Sequence, residues 1–381
     1  MHRLLSPNEA KFWLLDWTAP MNSVVVVQRA GRHDIKAPSR FTIPVVHTDA
    51  QQRPRWGDAD RLGILVHEDV PHGTAWLEAA QRLQNERVGS AGNPPWHAVA
   101  QHAADSTTLI LSVNHALTDW RTSLHVARAF LADEHPGPLA PACEEMLPAS
   151  SYGAPDADAL LDAWWSSRAG ARWQGLGRDG LTAILPRHAP THFTLHRFPP
   201  NDTTRLQARC EAEGVSLNGA LAIALRDVMG IEAVAHSVDM DRFVRPSPPP
   251  GPGLAVAHVF TTLGPGPFWE SARDNRAALF EQIRAGAAGD VLLSLPRLLM
   301  GAEPSYQPAV MTITGAPTAG TRSDEPDTLM QLVTSSARGG GAILILSWYR
   351  DQLQLITGAP AGTPGIPLPA LAARLLQACS T

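Results

Sequence analysis

Apolar positions in this chain fall in short blocks that change period every ten to fifteen residues. "SVVVVQR", from Ser23, is a run of β-branched residues, which fit a pleated surface and crowd a helix, so it predicts a buried strand. "RFTIPVV", "LGILVH" and "TTLILSV" predict further strands in the first half, and "THFTLHRF", "VAHVFTTLG" and "AVMTITG" do so in the second. "GAILILSWYRDQLQLITG" reads as a hairpin turning near Arg350 and Asp351. Between these, apolar residues recur every three or four positions. Helices are predicted after Ser6, over Thr74–Val88, over 122–135, over Asp156–Trp173, over Asp202–Gly214, over Ser216–Gly230 and over Phe268–Gly286. Several starts and stops carry their own chemistry. Ser6, Pro7 and Glu9 have the spacing of a capping box, Thr74 and Ser216 sit at caps, and Gly214 and Gly230 sit at stops.

Strands and helices therefore alternate through both halves, a pattern that fits α/β or α+β layers. With 381 residues the length favours two units over one. The Pro- and Ala-rich stretch from Pro136 to about Gly153 reads as a connection, and "PSPPPGPG" as a loop that its prolines bar from helix or central strand. The expected division is an N-terminal lobe over residues 1–175 and a C-terminal lobe over 190–381.

The bulk numbers exclude several classes. The hydrophobic fraction of 44% is ordinary for a globular chain, and no run approaches the roughly 18 apolar residues of a membrane span. "MHRLLSPNEAKFW" lacks the apolar segment and cleavage site of a secretory leader, so the expected location is cytoplasmic. A net charge of −5 without a basic block gives no nucleic-acid footprint. Cys143, Cys210 and Cys379 lie far apart without a CxxC pair, so neither a disulfide framework nor a structural zinc is expected. His188, His192 and His196 are spaced by four, but flanking prolines argue against the helix that would align them. No metal site is expected.

The candidate chemistry lies in "LSVNHALTDW", Leu111 to Trp120, where an apolar strand meets a polar turn ahead of a helix. Period two along the strand puts His115 on the side of Leu109, Leu111 and Val113, with Asn114 on the other. A histidine with an ordinary pKa near 6.5 can accept a proton at neutral pH. Asp119, four residues on, can orient the ring or lock the turn. In a chain with 15 histidines the spacing alone carries little, and a surface or core histidine is the plainer reading. The strand–turn–helix context is what gives it weight.

"LILSVNHALTDWRTSLHVARAFL" resembles the HHxxxDG motif of the CoA-dependent acyltransferase superfamily. That group includes condensation domains of nonribosomal peptide synthetases, wax-ester and alcohol acyltransferases, and polyketide-associated acyltransferases of mycobacterial lipids. "LSPNEAKFWLLDWTAPMNSVVVV", "GVSLNGALAIALRDVMG", "SVDMDRFVRP", "AVMTITGAP" and the final hairpin are similar to the family's other elements in the same order. The resemblance implies a two-lobed pseudo-dimer of chloramphenicol-acetyltransferase-like mixed sheets with flanking helices and a tunnel between the lobes. It implies an acyltransferase in secondary or lipid metabolism, with acyl-CoA or acyl-phosphopantetheine as co-substrate and no resident cofactor. The partners implied are a small hydroxyl or amine acceptor and an acyl or peptidyl carrier protein, the enzyme itself being a monomer. By the same resemblance His115 is the base and Asp119 a structural support paired with an arginine, Arg242 in preference to Arg245. Asn114, Trp120, Thr312 and Thr314 then line the tunnel or touch substrate.

Three positions depart from the pattern. Asn114 replaces the motif's first His, and Trp120 replaces its Gly. Between "SVVVVQR" and "LGILVH" the family's helix and Pro-x-Leu-Arg-like strand are missing. The departures keep two rivals open: cyclisation or dehydration on the same fold, and a non-catalytic module that binds a carrier protein.

Overall fold

The computed structural model describes residues 3–16, 19–50, 53–71, 75–147, 190–244, 250–289, 292, 310–314, 328–333, 343–349, 352–362 and 365–380. In the N-terminal half the order is α1 (Pro7–Asp16), β1 (Asn22–Ala30), β2 (Val45–Thr48), β3 (Pro54–Gly57), β4 (Ile64–Asp69), α2 (Trp76–Gln84), β5 (Trp96–His102), β6 (Ser106–Asn114) and α3 (Trp120–Ala132). The C-terminal half follows with β7 (Thr191–Arg197), α4 (Pro200–Ala212), α5 (Leu217–Met229), β8 (Ala233–Asp239), β9 (Val256–Thr262) and α6 (Phe268–Arg284). It ends with β10 (Val310–Thr314), β11 (Thr328–Val333), β12 (Ile343–Tyr349), β13 (Gln352–Pro360) and α7 (Leu368–Ala378).

Two mixed sheets carry the lobes, in the orders β11-β1-β6-β5-β4 and β7-β13-β12-β10-β8-β9, and β2-β3 form a separate hairpin. The valines of β1 explain its central place. Val24 to Val27 are all buried, so both faces of the strand are covered, as a continuous β-branched run demands. On one side β1 pairs antiparallel with β6, Val25 opposite Leu111 and Val26 opposite Ile110. On the other it pairs with β11, Val25 opposite Gln331. A strand from the C-terminal half thus completes the N-terminal sheet. The expected division near 175–190 falls among residues outside those described, as does the helix expected over Asp156–Trp173.

α1 begins with the box its sequence predicts: the Ser6 amide donates to Glu9 Oε2 at 2.8 Å and the Glu9 amide to Ser6 Oγ at 3.3 Å. Arg3 clamps the same carboxylate, and Trp56 Nε1 donates to it at 3.1 Å. α5 is capped by Ser216, whose Oγ accepts the Gly219 amide at 3.2 Å, and it ends on Gly230 at φ +69°. Between β1 and β4 the chain forms the β2–β3 hairpin, and no helix occurs among the described residues there. Among the described residues no helix is long and apolar enough to cross a membrane.

Candidate active site

β6 and α3 meet at the motif. β6 is buried along its whole length, so the chain leaves it with no freedom to reorient before Asn114. The His115 amide then donates to Met21 O at 2.8 Å, tying the turn to the start of β1. The imidazole lies against the Phe12 ring at 4.1 Å between centroids. Its Nδ1 sits 2.7 Å from the carbonyl oxygen of Thr118. A carbonyl only accepts, so Nδ1 carries the proton and the neutral ring keeps its lone pair on Nε2. Burial, helped by the nearby Lys11 charge, lowers the His115 pKa to about 4.

Asp119 is the N-cap of α3. Its Oδ1 accepts the amides of Arg121 and Thr122 at 3.0 Å each, and Thr122 closes a capping box by accepting the Asp119 amide at 2.9 Å. Its Oδ2 accepts the Ala255 amide at 2.9 Å, across to the segment that leads into β9. Thr122 Oγ1 donates to Gly253 O at 2.7 Å, and Thr118 bridges to Gly253. The turn is therefore stitched to the C-terminal half by the Asp119 and Thr122 side chains and by one backbone bridge. Desolvation raises the Asp119 pKa even so.

The expected pairing of Asp119 with Arg242 needs correction. Backbone amides and the Thr122 hydroxyl already occupy both carboxylate oxygens. Arg242 stands in an exposed turn, 3.7 Å from Asp239 and with 80% of its side chain exposed. Arg121 makes the arginine contact of this region, reaching Asp241 at 2.5 Å and Asp239 at 3.4 Å. Arg245 lies outside the described residues.

One cavity of about 730 Å³ opens at this seam, lined by His115, Asp119 and Trp120 from the first half. The second half contributes β8, β9, the start of α5 and one face of α6, with Ser237, His258, His236 and Asn275 among the polar side chains. Trp120 is half-buried and helical, so this position needs none of glycine's special backbone freedom. The indole shares the cavity wall with His115 and does not seal it. Asn114 does not line the cavity. Its Nδ2 donates to Val88 O at 3.2 Å and its Oδ1 accepts the Ala116 amide at 2.8 Å, so it braces the turn rather than touching substrate. Thr312 and Thr314 lie on β10, an inner strand parallel to β8 and β12. Their side chains lie outside what the structure describes. Arg242 does line the cavity, as do Phe243 and Phe280, and all three are exposed.

Three groups here escaped the sequence reading. His258 is a strand histidine in "VAHVFTTLG", and which face it takes depends on a register that sequence does not print. Lys11 is buried in α1, its ammonium 4.1 Å from the Phe12 ring centroid. Desolvation lowers its pKa to about 7, against a partial rescue by Glu144. Burial lifts Glu144 itself to about 7. Lys11 was visible as one of two lysines in an arginine-dominated chain, a bias that gave no hint of position.

No family model and no curated protein matches the sequence. Solved structures match along its whole length. The first condensation domain of the calcium-dependent antibiotic synthetase, in complex with a substrate analogue, aligns with a TM-score of 0.67 at 16% identity, covering 100% of this chain and 96% of that one. Polyketide synthase associated protein 5 from Mycobacterium tuberculosis aligns at 0.63 and 15%, covering 99% and 98%. The EpoB cyclization-docking bidomain of a nonribosomal peptide synthetase from Sorangium cellulosum aligns at 0.60 and 14%, covering 100% and 85%. The chain has the condensation-domain fold.

Proposed function

We propose that this protein is an acyltransferase that moves an acyl group from a phosphopantetheine thioester, on CoA or a carrier protein, to a hydroxyl or amine acceptor. One observation carries the reading: His115 has its Nδ1 proton fixed on the Thr118 carbonyl and its bare Nε2 left to a cavity between the lobes. A ring so held is a base in a fixed tautomer. Nε2 takes the acceptor's proton as its oxygen or nitrogen attacks the thioester carbon. The carbonyl electron pair moves to oxygen, returns as the C–S bond breaks, and the same proton passes to the departing sulfur. Asp119 and Thr122 act at a distance by holding the turn that aims the ring.

The condensation-domain fold supports a carrier-borne donor, because condensation domains act in synthetases for secondary metabolites. EpoB's cyclization domain shares the fold, so cyclisation is the second reading. Product mass separates the two, since transfer adds an acyl group while cyclisation of one substrate leaves its mass unchanged.

The test uses acyl N-acetylcysteamine thioesters and acyl-CoAs of graded length with a panel of alcohols and amines, read by free thiol and product mass. Wild-type protein is expected to release thiol in step with acylated product. His115→Ala is expected to lower that rate by roughly 10²–10⁴-fold, the usual share of a general base. Undiminished transfer by His115→Ala would remove the proposal.

A further inference from the structure

Three histidines line the cavity, and they differ in what holds them. His115 is committed at Nδ1 to Thr118. His236 is committed at Nε2, which lies 2.8 Å from Thr261 Oγ1, a hydroxyl that also accepts from Asn275 Nδ2 at 2.6 Å. His258 is different. It is 9% exposed and makes no hydrogen bond to the protein among the described residues.

Its neighbour sharpens the contrast. Ser237 on β8 is the direct antiparallel partner of His258 on β9. Side chains so paired share a face, with Cβ atoms about 5 Å apart. Ser237 Oγ is buried and has no hydrogen-bond partner among the described residues, and both side chains line the cavity. A buried hydroxyl without a partner is costly unless something meets it, and the His258 ring stands directly beside it. Their face is the one turned to the first half. Val256, on the same face two residues from His258, packs into the N-terminal core, and the backbone carbonyl of that residue accepts Asn8 Nδ2 at 3.1 Å. Residues of the other face, Val238, Ala257 and Val259, pack instead with Leu279 and Ile283 of α6.

We propose that the His258 ring N–H and the Ser237 hydroxyl form the oxyanion hole of the transfer reaction, donating to the thioester carbonyl oxygen as it becomes an alkoxide. This assignment rests on the acyltransferase reading above and names the groups that face the base from the opposite lobe. The chemistry suits the two residue types. A neutral imidazole and a hydroxyl each offer one donor without bringing a fixed charge that would bind the ground state equally well. His258 stays neutral because burial, with Lys11 and His115 nearby, holds its pKa well below the ordinary value. No bond to either residue forms or breaks. The electron pair that leaves the carbonyl π bond rests on oxygen against these two donors, while the acceptor's proton is on His115 Nε2. Both states relax together when sulfur departs with that proton.

The experiment needs a readout apart from turnover. We would bind the full-length protein to a dethia analogue of octanoyl-N-acetylcysteamine, a ketone with CH₂ for sulfur and ¹³C at the carbonyl, and record the carbonyl stretch and ¹³C shift. Wild type and His115→Ala should both show a polarised carbonyl, displaced from its position in water toward stronger hydrogen bonding. His258→Leu should lose most of that displacement, Ser237→Ala part of it, and His258→Gln should retain part, because its amide keeps an N–H. With the thioester itself, His258→Leu should lower kcat by roughly 10²–10³-fold with little change in KM, the signature of a lost oxyanion donor. A carbonyl equally polarised in His258→Leu and wild type overturns the assignment and leaves the acyltransferase reading intact. Wild type that neither binds the ketone nor releases thiol from any donor overturns both. His258→Gln, with its donor kept and its volume similar, guards against a variant that merely misfolds.

Discussion

Lys11 puts a positive charge in a place where water cannot dress it, and its influence reaches both His115 and His258. Because His115 is lowered to about 4, its basic form persists well below the pH at which an ordinary histidine protonates. The acid limb of kcat/KM is therefore expected near pH 4 rather than near 6.5. Lys11→Met removes a neighbouring charge that opposes the imidazolium, so this limb should move to higher pH. The same variant should gain stability. Lys11 titrates at about 7 in the folded protein against 10.5 unfolded. Between those values the unfolded chain holds the extra proton, so stability falls as pH drops from 10.5 to 7. An apolar side chain of similar length ends that dependence and should raise the unfolding free energy at pH 7 by about 1–4 kcal/mol, read in urea titrations at both pH values. Residue chemistry was unevenly legible in the sequence. His115 stood out because a polar turn interrupts an apolar run, whereas His258 and Lys11 depend on which face of an element meets the other lobe, a fact of tertiary packing.

α3 shows how much one element's first turn can carry. Asp119 satisfies two amides at the helix start and the Ala255 amide from the other half. Asp119→Ala removes the cap, worth about 0.5–2 kcal/mol, and leaves a buried amide unsatisfied, at about 1–3 kcal/mol. Denaturant unfolding should show a combined loss of roughly 2–4 kcal/mol, and activity should fall with it as the turn slackens. Asp119→Asn, which keeps one carbonyl oxygen, should cost less. Arg121, 41% exposed, pairs with Asp239 and Asp241 in screened surroundings, so Arg121→Gln should cost under about 1 kcal/mol. Elements with both a period and a boundary signal were readable: α1, α5, β1, β6 and the β12–β13 hairpin match their predicted spans. β5, β11 and α7 were not. β5 is the stretch "WHAVAQH", whose His and Gln blur the alternation, yet Gln101 and His102 are buried because neighbouring strands cover them. β11 owes its place to β1, more than 290 residues back in the chain and beyond the reach of local pattern.

At the scale of the whole molecule, that long-range pairing binds the halves more tightly than a boundary near residue 175 suggests. A fragment ending there would leave β1 as an edge, its valines and its backbone donors open on the side β11 now covers. Such a fragment should aggregate, and in the full chain tryptophan fluorescence and far-ultraviolet circular dichroism should report one coincident urea transition. Two separated midpoints would count against this coupling. The fold itself was legible as two lobes of alternating strands and helices, since each half repeats the alternation. That β11 crosses over was not. The seam at Thr118, Asp119 and Thr122 adds a further constraint. The loop that carries His115 and the segment that starts β9 are fastened by two side-chain-to-backbone bonds and one backbone bridge, so they form one truss with the imidazole at a joint. Prying the lobes apart along that line to admit a bulky guest would unseat the ring it came to meet. Entry is expected instead past the exposed side chains of Phe243 and Phe280, which line the same cavity, with the truss left standing.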